Sequence, residues 1–95
     1  ANGIAISTGG VFEKGKNAII IAYIDQPKIG DFVTLDLPEG LKISTKTPIK
    51  QKIKFIPGQP YGQVTWQIKL EEEGMKKVTI SRSNGVTLSK EIRVR

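Results

Sequence analysis

The side chains of this chain that could move a proton or hold a metal near neutral pH are carboxylates, because histidine and cysteine are both absent from its 95 residues. Histidine is the commonest general base and the commonest biological metal ligand, so both roles are lost together. Ser-His-Asp and Cys-His catalysis cannot be assembled within such a chain. Asp25, Asp31, Asp36 and the run Glu71, Glu72, Glu73 could offer oxygen ligands to calcium. None of them lies in a loop with the dense Asp/Asn/Gly alternation of a calcium site, so they read as solvated turn charges. No metal and no other cofactor is expected. No glycine-rich loop stands ahead of a helix to cradle phosphate, and no carboxylate pair is marked by spacing. The chain is not expected to be an enzyme.

Binding chemistry has two candidate sources, lysines and aromatics. The net charge is +6, and a basic balance can attract nucleic acid, anionic lipid or an acidic polymer. The lysines are spread along the chain, and their one concentration is Lys46, Lys50, Lys52 and Lys54. Only Phe55 lies close to them, on the opposite parity, so the interleaved aromatics of a nucleic-acid surface are missing. Guarding a sheet edge against pairing with another chain is the better reading of these lysines. Trp66 could offer a stacking platform to a sugar. It shares parity with Val64, Ile68 and Leu70, which places it in a core instead. Tyr61, in a proline-rich loop, and Tyr23, near the end of an apolar run, are the aromatics expected at the surface. The candidate ligand or polymer contacts are therefore Tyr61, Lys50, Lys52 and Lys54.

The elements that must position these residues read as strands throughout. Residues 3–8 alternate, Gly9-Gly10 interrupts them, and Val11-Phe12 resumes a brief strand. A first strand split in this way suits a chain crossing from one sheet to the other. Ala18-Ile-Ile-Ile-Ala-Tyr-Ile24 is apolar on both parities and rich in β-branched residues, as a central strand would be. Residues 32–37 alternate until Pro38, which has no N–H to donate, and Leu41 and Ile43 continue inward. Residues 49–55 predict one edge strand, with Ile49, Ile53 and Phe55 on one face and three lysines on the other. Val64, Trp66, Ile68 and Leu70 share a face. Residues 77–82 and 86–94 flank Asn84-Gly85, the strongest short hairpin signal. Lys90 falls on the apolar parity of its strand, which predicts a bulge or an emergent side chain. The sum is an all-β sandwich of seven to eight strands, filling one domain over residues 1–95, with an immunoglobulin-like Greek-key arrangement.

The corner Val33-Thr-Leu-Asp-Leu-Pro-Glu-Gly-Leu41, the strand Val64-Thr-Trp-Gln-Ile68, the glycine at 74 and the closing pair of strands resemble the immunoglobulin-like repeats of archaeal and bacterial cell-surface proteins. These include CARDB-type modules and the sandwich modules attached to secreted glycosidases. The resemblance covers most of the chain after Lys14. It departs after the second strand, where Asp25-Gln-Pro-Lys stands in place of the Asn-x-Gly turn such modules often carry. It implies a non-catalytic extracellular structural or adhesion module, a spacer or docking domain. The alternative is a carbohydrate-binding accessory domain of a secreted hydrolase. Expected partners are neighbouring domains of the parent protein, an extracellular polysaccharide or another surface protein; a nucleic-acid-binding barrel is a weaker reading. The chain opens Ala1-Asn2-Gly3 without methionine or a leader, and reads as a piece of a larger surface or secreted protein. No apolar run approaches the roughly 20 residues of a membrane-spanning helix, so membrane insertion is not expected.

Overall fold

Strict alternation of β-branched and polar residues gives each strand one buried and one outward face. The computed structural model describes residues 3–95; residues 1 and 2 of the expected domain lie outside the described residues. The elements in chain order are β1 (Ile4–Gly10), β2 (Asn17–Asp25), β3 (Phe32–Asp36), β4 (Leu41–Ile43), β5 (Lys50–Lys52), β6 (Lys54–Phe55), β7 (Tyr61–Leu70), β8 (Gly74–Arg82) and β9 (Thr87–Val94). Two antiparallel sheets result. One has the order β1-β2-β7-β4, with β6 also paired to β7, and the other has the order β5-β3-β8-β9. Among the described residues no helix forms. The molecule is an all-β sandwich, as the alternation predicts.

The inward faces of the two sheets meet in one core. Ile20, Ile24, Val64, Trp66, Ile68 and Leu70 come from the first sheet, and Val33, Leu35, Val78 and Ile80 from the second; all are buried. Trp66 is fully buried, and its indole Nε1 donates to the carbonyl of Ile49 at 2.9 Å. A buried indole N–H needs such a partner.

Two local expectations are corrected, and a third is met by one of its two alternatives. Residues 49–55 do not form one edge strand. Lys50–Lys52 pairs with β3 in the second sheet, and Lys54–Phe55 pairs with β7 in the first. The chain changes sheets at Ile53, which is buried, while Ile49 and Phe55 are exposed. A strand that switches sheets cannot keep one side inward along its length, so strict alternation predicted the wrong partners for its ends. Val11-Phe12 is not a strand, although Arg95 N donates to Phe12 O at 3.0 Å and Lys14 N to Arg95 O at 2.7 Å. The first strand thus reaches across to the end of the second sheet by isolated bonds. At Lys90, where the pattern predicts a bulge or an emergent side chain, the side chain emerges and no bulge forms. The β8–β9 register runs unbroken from Gly74↔Val94 to Ser81↔Thr87, and the lysine emerges with Nζ 3.5 Å from Ile6 O.

The turns follow their residues. Leu41 N donates to Pro38 O at 3.3 Å, and Gly40 holds φ +91°, the positive angle a type II turn requires in its third position. The β8–β9 hairpin closes through Arg82 N to Val86 O and Gly85 N to Arg82 O, each 2.8 Å.

Candidate functional site

The sequence-predicted contacts do not converge. Lys50 and Lys52 stand opposite Thr34 and Phe32, on the outer face of the second sheet. Lys54 stands opposite Gln63, on the outer face of the first. The switch at Ile53 therefore divides the three lysines between the two sides of the sandwich. Lys50 Nζ lies 4.0 Å from the centroid of the Phe32 ring, a cation–π contact that occupies its head group. Lys46 is exposed in the preceding loop.

The carboxylates are dispersed too. Glu71 pairs with Lys42 at 3.4 Å and Glu72 with Lys76 at 3.5 Å, while Asp36 is exposed. Among the described residues no group of three or more carboxylates is placed to hold a metal ion.

Asp31 is the exception in its chemistry, and its role is internal. It accepts from Lys28 N at 2.9 Å, Arg82 Nη2 at 3.0 Å and Ser83 Oγ at 2.9 Å. The backbone N–H of Lys28 and then the Arg82 guanidinium hold its carboxyl down to about 2, against an opposing penalty from burial. Arg82 also donates to Gln26 O at 3.2 Å, and Ser83 Oγ accepts from Phe32 N at 3.3 Å. These bonds tie the β2–β3 connection to the end of β8. Gln26 itself takes φ +47°, a positive angle at a non-glycine residue, and its N–H is held by Pro60 O at 2.8 Å.

Tyr61 opens β7 and meets Tyr23 of β2 edge to face, with ring centroids 6.0 Å apart. Both are half-buried and both lie on the outer face of the first sheet, opposite Asp25 and Gln63 respectively. A hollow of about 340 Å³ beside them is lined by Gly3, Ile4, Ala5 and Asp25. At the other end of the same face, Gly9 and Gly10 leave a second hollow of about 450 Å³, with Ile19 and Gln67 in its lining.

Between the hollows the outward rows of β1, β2 and β7 carry no charge. Down β2 it presents Tyr23, Ile21 and Ile19. The cross-strand partners are Ala5, Ser7 and Gly9 on β1, and Gln63, Thr65 and Gln67 on β7. Charge returns at the margins, at Asp25 beyond Tyr23, at Lys69 beyond Gln67, and on the flanking strands at Lys54 opposite Gln63 and Lys42 opposite Lys69. The outer face of the second sheet differs, with Lys50, Lys52, Asp36, Lys77, Glu91 and Arg93 on it. No family model matches the chain, and neither a curated protein nor a solved structure does. The geometry therefore stands alone, and its distinguishing feature is this uncharged track across β1, β2 and β7.

Sequence reasoning found Tyr61 and noted Tyr23, but did not join them. The available signal was the apolar character of residues 18–24 on both parities. One parity fills the core. The other, Ile19 and Ile21, had to face outward from whichever sheet held it.

Proposed function

We propose that this domain is a non-catalytic structural module, a spacer or docking domain, carried by a larger cell-surface or secreted protein. The observation that carries this reading is the position of the chain ends. Gly3 lies at one pole of the sandwich, where its carbonyl accepts from Asp25 N at 2.8 Å, and Arg95 lies at the other, where it bonds to Phe12 and Lys14. The long dimension is 36 Å, close to a ten-residue strand at about 3.3 Å per residue, so the strands run from pole to pole. A longer chain would enter at one end and leave at the other, and successive domains would add length with little side-by-side contact.

The chemistry supports the same reading. Asp31 is spent on internal bonds, and Trp66 is spent on the core. The sheet orders β1-β2-β7-β4 and β5-β3-β8-β9, with the chain crossing between sheets after β2, β3, β4, β5 and β7, favour the immunoglobulin-like Greek-key arrangement that the corner and the tryptophan strand resemble. Neighbouring domains of the parent protein are the partners this role needs.

Small-angle X-ray scattering on one copy and on two copies joined through a short linker tests the reading. The maximum dimension of the pair should exceed that of the single domain by about one domain length, 36 Å. A pair that folds back side by side, with little gain in length, would overturn the spacer role.

A further inference from the structure

A chain in which a quarter of the residues are charged leaves the β1-β2-β7 stretch of one sheet face without charge between Asp25 and Lys69, with Lys54 and Lys42 only on the flanking strands, and that asymmetry calls for an explanation. Charged side chains keep exposed sheets soluble and unpaired, so a face that omits them is suited to contact of its own. We propose that the outer face of the first sheet binds a neutral, unbranched polysaccharide chain lying along β2, from the Tyr23–Tyr61 pair to the Gly9–Gly10 hollow. This goes beyond the spacer role and does not depend on it.

Three features select this occupant. The first is size. From β1 to β7 the face spans two strand spacings, about 10 Å, and from Tyr61 to Gln67 about 20 Å. That is roughly 200 Å², well below the ~800 Å² per partner of a stable protein interface. A second copy or a folded partner would have to extend onto the charged margins, whereas a single extended glycan chain has the right width.

The second feature is chemistry. A neutral sugar presents C–H faces and hydroxyl edges. The rings of Tyr23 and Tyr61 and the aliphatic surface of Ile19 and Ile21 suit the former. The side-chain amides of Gln63 and Gln67 suit the latter, since each offers both donors and an acceptor. The residues run in parallel rows, apolar on β2 and amide or hydroxyl on β7, which is how a ribbon with faces and edges would be read.

The third feature is relief. At Gly9 a Cβ would meet the Ile19 side chain at 2.9 Å. Without one, Ile19 forms the floor of an open trough beside Asn17 and Gln67. The hollows at the two ends give the track places in which a chain can settle.

Affinity electrophoresis in gels containing hydroxyethylcellulose, mixed-linkage β-glucan, arabinoxylan or galactomannan tests the proposal, with sedimentation velocity and thermal melts run on every variant. The wild-type domain should be retarded by at least one of these four, and raising salt from 50 to 500 mM should not weaken the effect. Tyr61→Ala should weaken retardation about tenfold. Thr65→Lys, which places a charge mid-track on an outward side chain, should weaken it at least as much while the domain still melts like wild type. Lys77→Thr, on the opposite face and on the interior strand β8, should leave it unchanged. Absence of retardation by all four polymers would overturn the proposal. So would retardation that survives Thr65→Lys, binding confined to acidic polymers and abolished by salt, or self-association of the wild type that Thr65→Lys disrupts.

Discussion

Asp31 shows how a residue type that could serve chemistry is used for structure. Its carboxylate answers three donors at once, and one belongs to an arginine whose side chain is only 8 % exposed. Among the described residues Arg82 Nε is buried with no hydrogen-bond partner, so that cation depends heavily on the carboxylate. Asp31→Ala should therefore cost near the lower end of the roughly 3–5 kcal/mol seen when one partner of a buried pair is removed, since Asp31 keeps 15 % exposure. Chemical denaturation of the variant measures this. The same group sets a pH dependence. A carboxyl whose pKa is lower folded than unfolded contributes fully above its unfolded value and loses that contribution as pH falls through the folded one. With a shift from 3.8 to about 2, stability should fall between pH ~4 and pH ~2, and that portion should be absent in Asp31→Asn. Equal acid sensitivity in the two proteins would show that the bonds to Lys28, Arg82 and Ser83 carry no stability. Trp66 is the counterpart on the apolar side. It is fully buried and bonded through its indole, so Trp66→Ala should cost about 3–5 kcal/mol. A urea titration within about half a kcal/mol of wild type would contradict that burial.

At the scale of elements, the strand that changes sheets is held by a close crossing. Gly62 lies where β6 passes β7, and a Cβ there would stand 2.4 Å from Ile53 Cγ2 and 2.9 Å from the backbone carbonyl of Lys54. The side chain could yield but the carbonyl could not without unpairing β6. Gly62→Ala should destabilise the fold by about 1–3 kcal/mol, as overpacking does, and hydrogen exchange should quicken in Lys54–Phe55 before it does in the β2–β7 pair. Unchanged exchange would mean that β6 shifts without loss. This crossing also marks where the sequence stopped being readable. The period-two runs of β2, β3, β7, β8 and β9 identified strands and core faces directly, because one face of each is buried and burial enforces register. The core place of Trp66 followed from its neighbours at 64, 68 and 70. Residues 49–55 alternate just as well, yet the decisive fact was which sheet each half joins, and no local pattern encodes a partner. The candidate face was legible only in part. Tyr61 and the apolar excess of residues 18–24 were visible, but bringing Tyr23, Tyr61 and the Gly9–Gly10 hollow onto one side required the β1-β2-β7 register.

On the scale of the whole molecule, the lysines serve both charge and edge protection. Lys50 and Lys52 lie on the edge strand β5 of the second sheet, and Lys54 on β6 at the margin of the first. One short stretch thus guards an edge of each sheet, which the switch at Ile53 makes possible. Two copies approaching edge to edge would bring like charges together, and directly opposed like charges destabilise strand pairing. Replacing all three with threonine removes three of the six net positive charges while keeping strand propensity. The variant should fold, with circular dichroism and melting close to wild type. It should self-associate at protein concentrations where the wild type sediments as a monomer. Raising salt should push the wild type in the same direction, because screening weakens repulsion between exposed charges. An anion-binding role predicts a different pair of results. Wild type would then be held on a heparin column with steep salt dependence, and the triple variant would lose that retention while remaining monomeric. Because Lys54 stands on the opposite side of the sandwich from Lys50 and Lys52, the two roles also separate by position. Edge protection makes Lys54→Thr open one sheet and Lys50→Thr/Lys52→Thr the other, each with partial self-association. A single anion site would be lost with one of these substitutions and untouched by the other.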